Sequence, residues 1–287
     1  MQSVTPEHFK NIDVAFFTAL PEFTRARWQM AKAAGAAIVD LSYALEEQPG
    51  ARLRAPWIEH ELGTAPAAEL EPGPVVVAHP AAVAVGLLLL RAAKVGAVRT
   101  AAVTILEPAS ERGRRGMDEL HEQTVNLLSF QKLPTEVFGT QVAFNLVARY
   151  GEESQPALES IEHRIRQHIR RLAAGRAFLP ALSLLQAPIF HGHVFSLYLE
   201  MQEAVTEAGL SHALAGEHVA LMRPGDDPPS NVAAAGQEQV QVWLRRDPDR
   251  DHAFWIWAAA DNLRVMALNA VECAEQLVMA RPKGKIQ

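Results

Sequence analysis

The chain reads as an α/β protein of two domains, on three observations. At 287 residues it is long enough for two separate cores. Residues 12–41 read strand, helix, strand, a βαβ unit that implies parallel pairing. The stretch Val75–Leu90, VVVAHPAAVAVGLLLL, reads as a buried strand that passes through His79-Pro80 into an apolar helix.

Each element can be justified in order. Ile12–Thr18 is an apolar strand, and Pro21–Ala34 carries a helical pattern that ends at Gly35, a C-cap residue type. Ala37–Leu41 is the next strand. Ser42–Pro74 is rich in Pro, Gly and charge and reads as loop. Val75–Ala78 is a strand, and a helix runs from Ala81 to about Lys94. Arg99–Leu106 is a strand, Glu107–Gly116 a loop, Met117–Leu128 a helix, and Gln141–Val147 extended or irregular. Pro156–Gly175 is an amphipathic helix with an apolar stripe at Leu158, Ile161, Ile165, Ile169 and Leu172. Its arginines, Arg164, Arg166, Arg170 and Arg171, share a face with Glu159 and Glu162 and no aromatic residue, which is a solvated face. Leu182–Glu200 contains a long strand whose alternation puts Ile189, His191, His193, Phe195 and Leu197 on one side. Gln202–Ala213 is a helix and Val219–Ser230 a turn region. Strands Gln239–Arg245 and Phe254–Ala259 flank the turn Asp247-Pro248-Asp249, and Asp261–Met279 is the last helix before a frayed tail, RPKGKIQ.

Composition narrows the function classes. Hydrophobic content of 49% with 21% charged residues describes an ordinary globular protein. A net charge of −6 offers no electrostatic footprint for nucleic acid. The single cysteine, Cys273, excludes an intrachain disulfide framework and a Cys-rich zinc site, and fits a reducing compartment. Inside the last helix it reads as a small buried hydrophobe. The N-terminus MQSVTPEHFKN lacks the regions of a signal peptide, and the longest apolar run, Ala81–Leu90, is too short to span a bilayer. The expected location is the cytoplasm, with no membrane contact.

The break at His79-Pro80 sets the next residues at a helix N-terminus, where a cysteine thiol would have a lowered pKa. The residues there are Ala81 and Ala82.

Several stretches together resemble the aspartate-semialdehyde dehydrogenase family, particularly its USG-1-like branch. They are Ile12–Phe17, the run Gly35–Ser42, HPAAVAV, and Ser110 with Gly113-Arg114-Arg115-Gly116-Met117-Asp118-Glu119-Leu120 and Gln123-Thr124. QVAFNL at Gln141–Leu146, Pro188–Glu200 around Gly192-His193, and Asp261-Asn262-Leu263-Arg264 leading to Ala267-Leu268-Asn269-Ala270 complete the set. They run in family order over nearly the whole chain. The resemblance implies an incomplete Rossmann-like nucleotide-binding domain at 1–80 and 253–287. It also implies an α+β dimerisation domain at 81–252, a mixed sheet flanked by helices. It implies a homodimer and NADP as cofactor, for a reaction in which aspartyl phosphate is reduced through a cysteine thioester with help from a histidine.

Set against those requirements, the family cysteine falls on Ala82 or, one residue out of register, Ala81. The arginine that clamps the substrate carboxylate falls on Gln186, which lacks the charge and the guanidinium fork. The arginine of the phosphate site falls on Glu46, and an active-site glutamine falls on Glu107, each adding negative charge. His193 matches the acid/base position. No Gly-rich phosphate-binding turn precedes Ile12. Ser42, Asn262 and Asn269 fall on cofactor-binding positions, although the last helix is one residue shorter than the family pattern and lacks its glycine. His191 and His193 without a third ligand make no metal site. The expectation is a degenerate homologue that keeps fold and dimer. The alternatives are an NADP-dependent oxidoreductase acting on an aldehyde or acyl phosphate in amino-acid biosynthesis, and a partner subunit that pairs with an active paralogue.

Overall fold

The computed structural model describes residues 4–64, 73–223 and 225–280, and the chain divides into two compact units. The first comprises 1–79 and 266–287, and the second 80–265.

In the first unit β1 (Val14–Phe17), α1 (Pro21–Ala33) and β2 (Ala37–Asp40) form the expected βαβ unit, with β1 and β2 parallel and Val14 opposite Ala37. Gly35 ends α1 at a φ of 93°, and the Ala36 N–H returns to the Ala31 carbonyl. This closes the helix in the way glycine favours. The segment Ser42–Pro74, expected to be loop, instead contributes β3 (Arg52–Arg54) and α2 (Pro56–Leu62). Neither is long enough to build a periodic signal. Pro56 starts α2, Gly63 closes it, and its short apolar face buries Trp57 and Ile58. Residues 65–72 of that segment lie outside the described residues. With β4 (Val75–Val77) the four parallel strands take the order β1-β2-β4-β3. Neighbouring residues on each strand serve opposite faces: Ile38 and Val76 pack with Phe17 and Trp28, whereas Val39 and Val77 face the other way.

The second unit opens with α3 (Pro80–Ala92), every residue of which is buried. It continues through β5 (Val98–Glu107), a 3-10 turn at Ala109–Arg112 and α4 (Gly113–Leu128). Most of the expected loop Glu107–Gly116 is therefore regular, and α4 starts four residues earlier than Met117. α5 (Leu158–Ala173) buries the five expected stripe residues. α3 packs against α5.

The long strand expected across Leu182–Glu200 is two strands, β6 (Ala181–Gln186) and β7 (His193–Met201). Pro188 supplies no N–H to a ladder, and Gly192 has a φ of 81°, where a β-carbon would come 3.1 Å from the Asn231 carbonyl oxygen. Ile189 and His191 thus belong to a loop, and only His193, Phe195 and Leu197 share the strand. α6 (Glu207–Leu214) starts later than expected because Thr206 caps it. The expected turn at Val219–Ser230 holds a short strand, β8 (Val219–Leu221), and the small helix α7 (Asn231–Ala234) follows it.

β9 (Val240–Arg246) and β10 (Ala253–Ala260) complete a six-stranded mixed sheet in the order β6-β5-β7-β10-β9-β8. β10 lies between β7 and β9, so residues 253–260 belong to the second unit. The boundary expected at 253 therefore moves to Met266. α8 (Asn262–Met279) carries the chain back, and its Ala270 and Ala274 pack on Val39 and Val77. Among the described residues no helix is long and apolar enough to cross a membrane.

Candidate functional site

Strand register assembles the site at one end of the six-stranded sheet. Glu107, the last residue of β5, pairs with Gln186, the last of β6. His193, the first of β7, pairs with Ala260, the last of β10. The chain then enters α8 through Asp261, whose Oδ1 accepts the N–H groups of Leu263 and Arg264 at 2.9 and 3.0 Å. Its Oδ2 holds the Gly236 N–H at 2.6 Å. Asp261 is therefore a helix cap that ties α8 to the end of α7.

His193 is 1% exposed and Glu107 fully buried. The imidazole Nε2 stands 3.8 Å from Oε2 of Glu107 and 3.9 Å from Oε1 of Glu111 in the 3-10 turn. Asn262 joins the parts. Its amide donates to Glu111 at 2.8 Å, and its carbonyl oxygen accepts from Ser110 Oγ at 3.1 Å and from the Gly192 N–H at 3.2 Å.

Burial controls the protonation of this group. Desolvation pushes the Glu107 carboxyl up to about 8, against the pull of Arg112 and Arg164. It also pushes Glu111 up to about 7, against the attraction of His193. The same effect lowers His193, with Glu111 and Asp261 opposing it. Burial thus disfavours the charged form of all three groups.

Gln186 is fully buried and fully used. Its amide donates to the carbonyls of Glu107 and Ala187, both at 2.9 Å, and its oxygen accepts from Tyr150 Oη at 2.6 Å. Arg112 stacks over the Tyr150 ring at 5.5 Å and donates to the carbonyls of Pro156, Val137 and Gln155. That guanidinium is spent on holding the loop 137–156.

The structure brings together His193, Glu107, Gln186 and Asn262 of the residues expected from sequence. Ala81 and Ala82 lie in the same unit, in the first turn of α3, fully buried with methyl side chains. Ser42, Glu46 and Asn269 belong to the first unit. Ser42 Oγ donates to Asp40 at 2.6 Å and to Thr24 at 2.8 Å, and Asn269 Oδ1 accepts from the Trp57 N–H at 3.3 Å. Each of the three residues expected at cofactor-binding positions thus makes hydrogen bonds within the protein. The expectation that His191 shares a strand face with His193 fails, since His191 lies in the loop before Gly192. Sequence reasoning missed Glu111, Tyr150 and Arg112. The one signal for Glu111 was its position beside Ser110, within the Ser110–Leu120 stretch.

A two-unit α/β chain with a mixed sheet and a buried histidine at one end of it is the arrangement of a semialdehyde dehydrogenase-type protein. The profile of the semialdehyde dehydrogenase dimerisation domain matches residues 87–265, and the chain belongs to that family. A USG-1 protein homolog of Pseudomonas aeruginosa is 31% identical over 275 residues, covering 94% of this chain and 80% of the relative. Aspartate-semialdehyde dehydrogenase of Rickettsia conorii is 25% identical over 294 residues, covering 97% and 82%. Among solved structures, a probable aspartate-semialdehyde dehydrogenase from Pseudomonas aeruginosa superimposes with a TM-score of 0.81 at 31% identity, covering 94% of this chain and 80% of the other.

Proposed function

We propose that this chain is an aspartate-semialdehyde dehydrogenase-like protein that keeps the family fold and homodimeric assembly and has lost the thioester chemistry. The observation that carries the reading is position 82. By resemblance it is the nucleophile's place, and its side chain is a buried methyl group at the start of α3. Alanine forms no acyl-enzyme, so the reaction as the family runs it has no first step.

The rest of the site supports the same reading. Gln186, at the position of the carboxylate-clamping arginine, spends its amide on two backbone carbonyls and its oxygen on Tyr150. Glu107, at the position of an active-site glutamine, adds a carboxyl with no hydrogen-bond partner among the described residues. An acyl phosphate carries negative charge that such a carboxyl repels once ionised. His193 remains as a buried base without a nucleophile to serve.

The test is an assay of aspartate semialdehyde oxidation with NADP+ and phosphate, run on the protein and on Ala82→Cys. Neither should turn over, because the substrate clamp and the phosphate-site cation are also replaced. Measurable turnover by Ala82→Cys would show that only the thiol was missing and would overturn the proposal.

A further inference from the structure

β1 is an outer strand of the four-stranded sheet, and its sequence does nothing to close the edge it presents. The Ala37 N–H donates to the Asp13 carbonyl at 2.8 Å, and the Leu41 N–H to the Phe17 carbonyl at 2.9 Å. In a parallel ladder alternate residues of a strand bond to a given neighbour, so Asp13, Ala15 and Phe17 serve β2. Val14 and Phe16 therefore turn their backbone N–H and C=O groups outward. Natural edges are blunted by a charge, a proline or a bulge. Val14–Phe17 holds neither charge nor proline, and its register with β2 runs unbroken from Val14 opposite Ala37 to Phe17 opposite Asp40. Phe16 is 45% exposed.

A cavity of about 310 Å³ lies against the same strand. Ala15, Phe16 and Phe17 line it from β1, Phe9 from the 3-10 turn Pro6–Phe9, and Phe23 from the first turn of α1. Ala15, Phe17 and Phe9 pack with Trp28 and Ile38, which sets the cavity on that face of the sheet. Every second residue of a strand added beside β1 would point to this face.

We infer that β1 receives an extended segment of another protein as a further strand of this sheet, with a large apolar side chain of that segment seated in the cavity. The occupant's chemistry follows from two features that a peptide strand meets together. The outward N–H and C=O groups of Val14 and Phe16 call for a backbone with the same two-residue spacing, and the cavity calls for an apolar side chain at a fixed place along it. A small apolar molecule would fill the cavity and leave the edge unpaired. A second copy, pairing β1 with β1 about a two-fold axis, would bring only Ala15 and Phe17 to the cavity face. Phe17 is 3% exposed, already packed in its own core, and Ala15 ends in a methyl group, so both cavities would stay empty.

The probe is a fluorescent, end-blocked heptapeptide that alternates leucine with threonine, titrated against the full chain by anisotropy. Saturable binding is expected, weakened about 10-fold when the central backbone nitrogens are methylated and similarly when alanine replaces leucine. Phe16→Pro deletes one outward donor and spares the bonds to β2, so it should weaken binding with the far-ultraviolet circular dichroism unchanged. Phe23→Asp puts a carboxylate on the cavity wall at a helix start that tolerates it, and should weaken binding as well. Amide exchange at Val14 and Phe16 should slow when the peptide is added, while that at Ala15 and Phe17 stays as it was. No saturable binding at millimolar peptide overturns the inference, and so does equal binding of the methylated peptide, which would place the contact in side chains alone. Self-association of the chain that Phe16→Pro abolishes assigns the edge to a second copy and overturns it too.

Discussion

The imidazole Nε2 of His193 lies 3.8 Å from Oε2 of Glu107, with both side chains closed off from solvent. That separation is longer than a hydrogen bond, and neither carboxylate oxygen of Glu107 accepts one among the described residues. An ionised carboxylate there would have neither water nor donors to replace it, so the neutral acid is favoured. The pair is governed by burial, which raises the acid and lowers the base.

Stability should therefore fall as pH rises through neutrality. Folded Glu107 keeps its proton to about pH 8 and folded Glu111 to about pH 7, against an ordinary value of 4.5 in the unfolded chain. Between those limits the folded chain binds the more protons, so its stability is full below about pH 4.5 and is lost as pH climbs. His193 acts oppositely: its lowered pKa lets the unfolded chain take up a proton below about 6.5, which costs stability on the acid side. Above pH 7 the two carboxyls prevail, and Tm should drop from pH 7 to 8 and then flatten. Glu107→Gln should remove much of that drop and melt higher than wild type at about pH 9, by on the order of a few kcal/mol. A wild-type Tm that rises from pH 7 to 8 would contradict the assignment.

Asn262 should be far more costly to remove than its single amide suggests. It is 1% exposed and holds Glu111, Ser110 and the Gly192 N–H at once. Truncation leaves the Gly192 N–H and the Ser110 hydroxyl unpaired in a buried setting, so Asn262→Ala should lose about 2–4 kcal/mol in urea denaturation. A loss under about 1 kcal/mol would show that water replaces the amide there.

Cofactor binding should be weak or absent. Ser42, Asn262 and Asn269 each spend side-chain atoms on internal hydrogen bonds, to Asp40 and Thr24, to Glu111, and to the Trp57 N–H respectively. Calorimetric titration of the folded protein with NADP+ and with NADPH should give no saturable heat at high micromolar cofactor. A dissociation constant in the low micromolar range, ~8 kcal/mol of binding, would show that other groups hold the nucleotide and would reopen an oxidoreductase role.

What could be read from the sequence depended on how local the signal was. The stripe of α5 was legible because Leu158, Ile161, Ile165, Ile169 and Leu172 repeat with the helix period, and all five are buried. β3 and α2 were not, because three and seven residues carry no period and the surrounding Pro and Gly spoke for loop. The alternation that joined Ile189 and His191 to His193 continued through Gly192, whose positive φ breaks the strand. At the site, Glu107 and Gln186 were singled out only through the family resemblance: the sequence placed Glu107 in a loop and Gln186 inside a long strand, whereas each closes its strand and the two pair there. Glu111 escaped notice because the partner that fixes it, Asn262, is 151 residues away in the chain. No local pattern encodes a contact of that separation.

Cys273 offers the sharpest check on whether another thiol stands in for the missing nucleophile. It is fully buried on α8, and desolvation pushes its thiol up to about 12, outweighing the attraction of Arg54. Arg54 is in turn held by Glu59, at 2.6 Å from Nε and 2.5 Å from Nη2, and by the Gln276 side chain. The cation is thus committed, and the thiolate that nucleophilic attack requires is scarce at neutral pH. An aromatic disulfide reagent at about pH 8 should label the native protein at least ~1,000-fold more slowly than the unfolded chain, at a rate set by opening of the structure. Labelling in native conditions as fast as that of a free thiol would place Cys273 at the surface. The loss of Ala82's counterpart would then no longer mean the loss of a nucleophile.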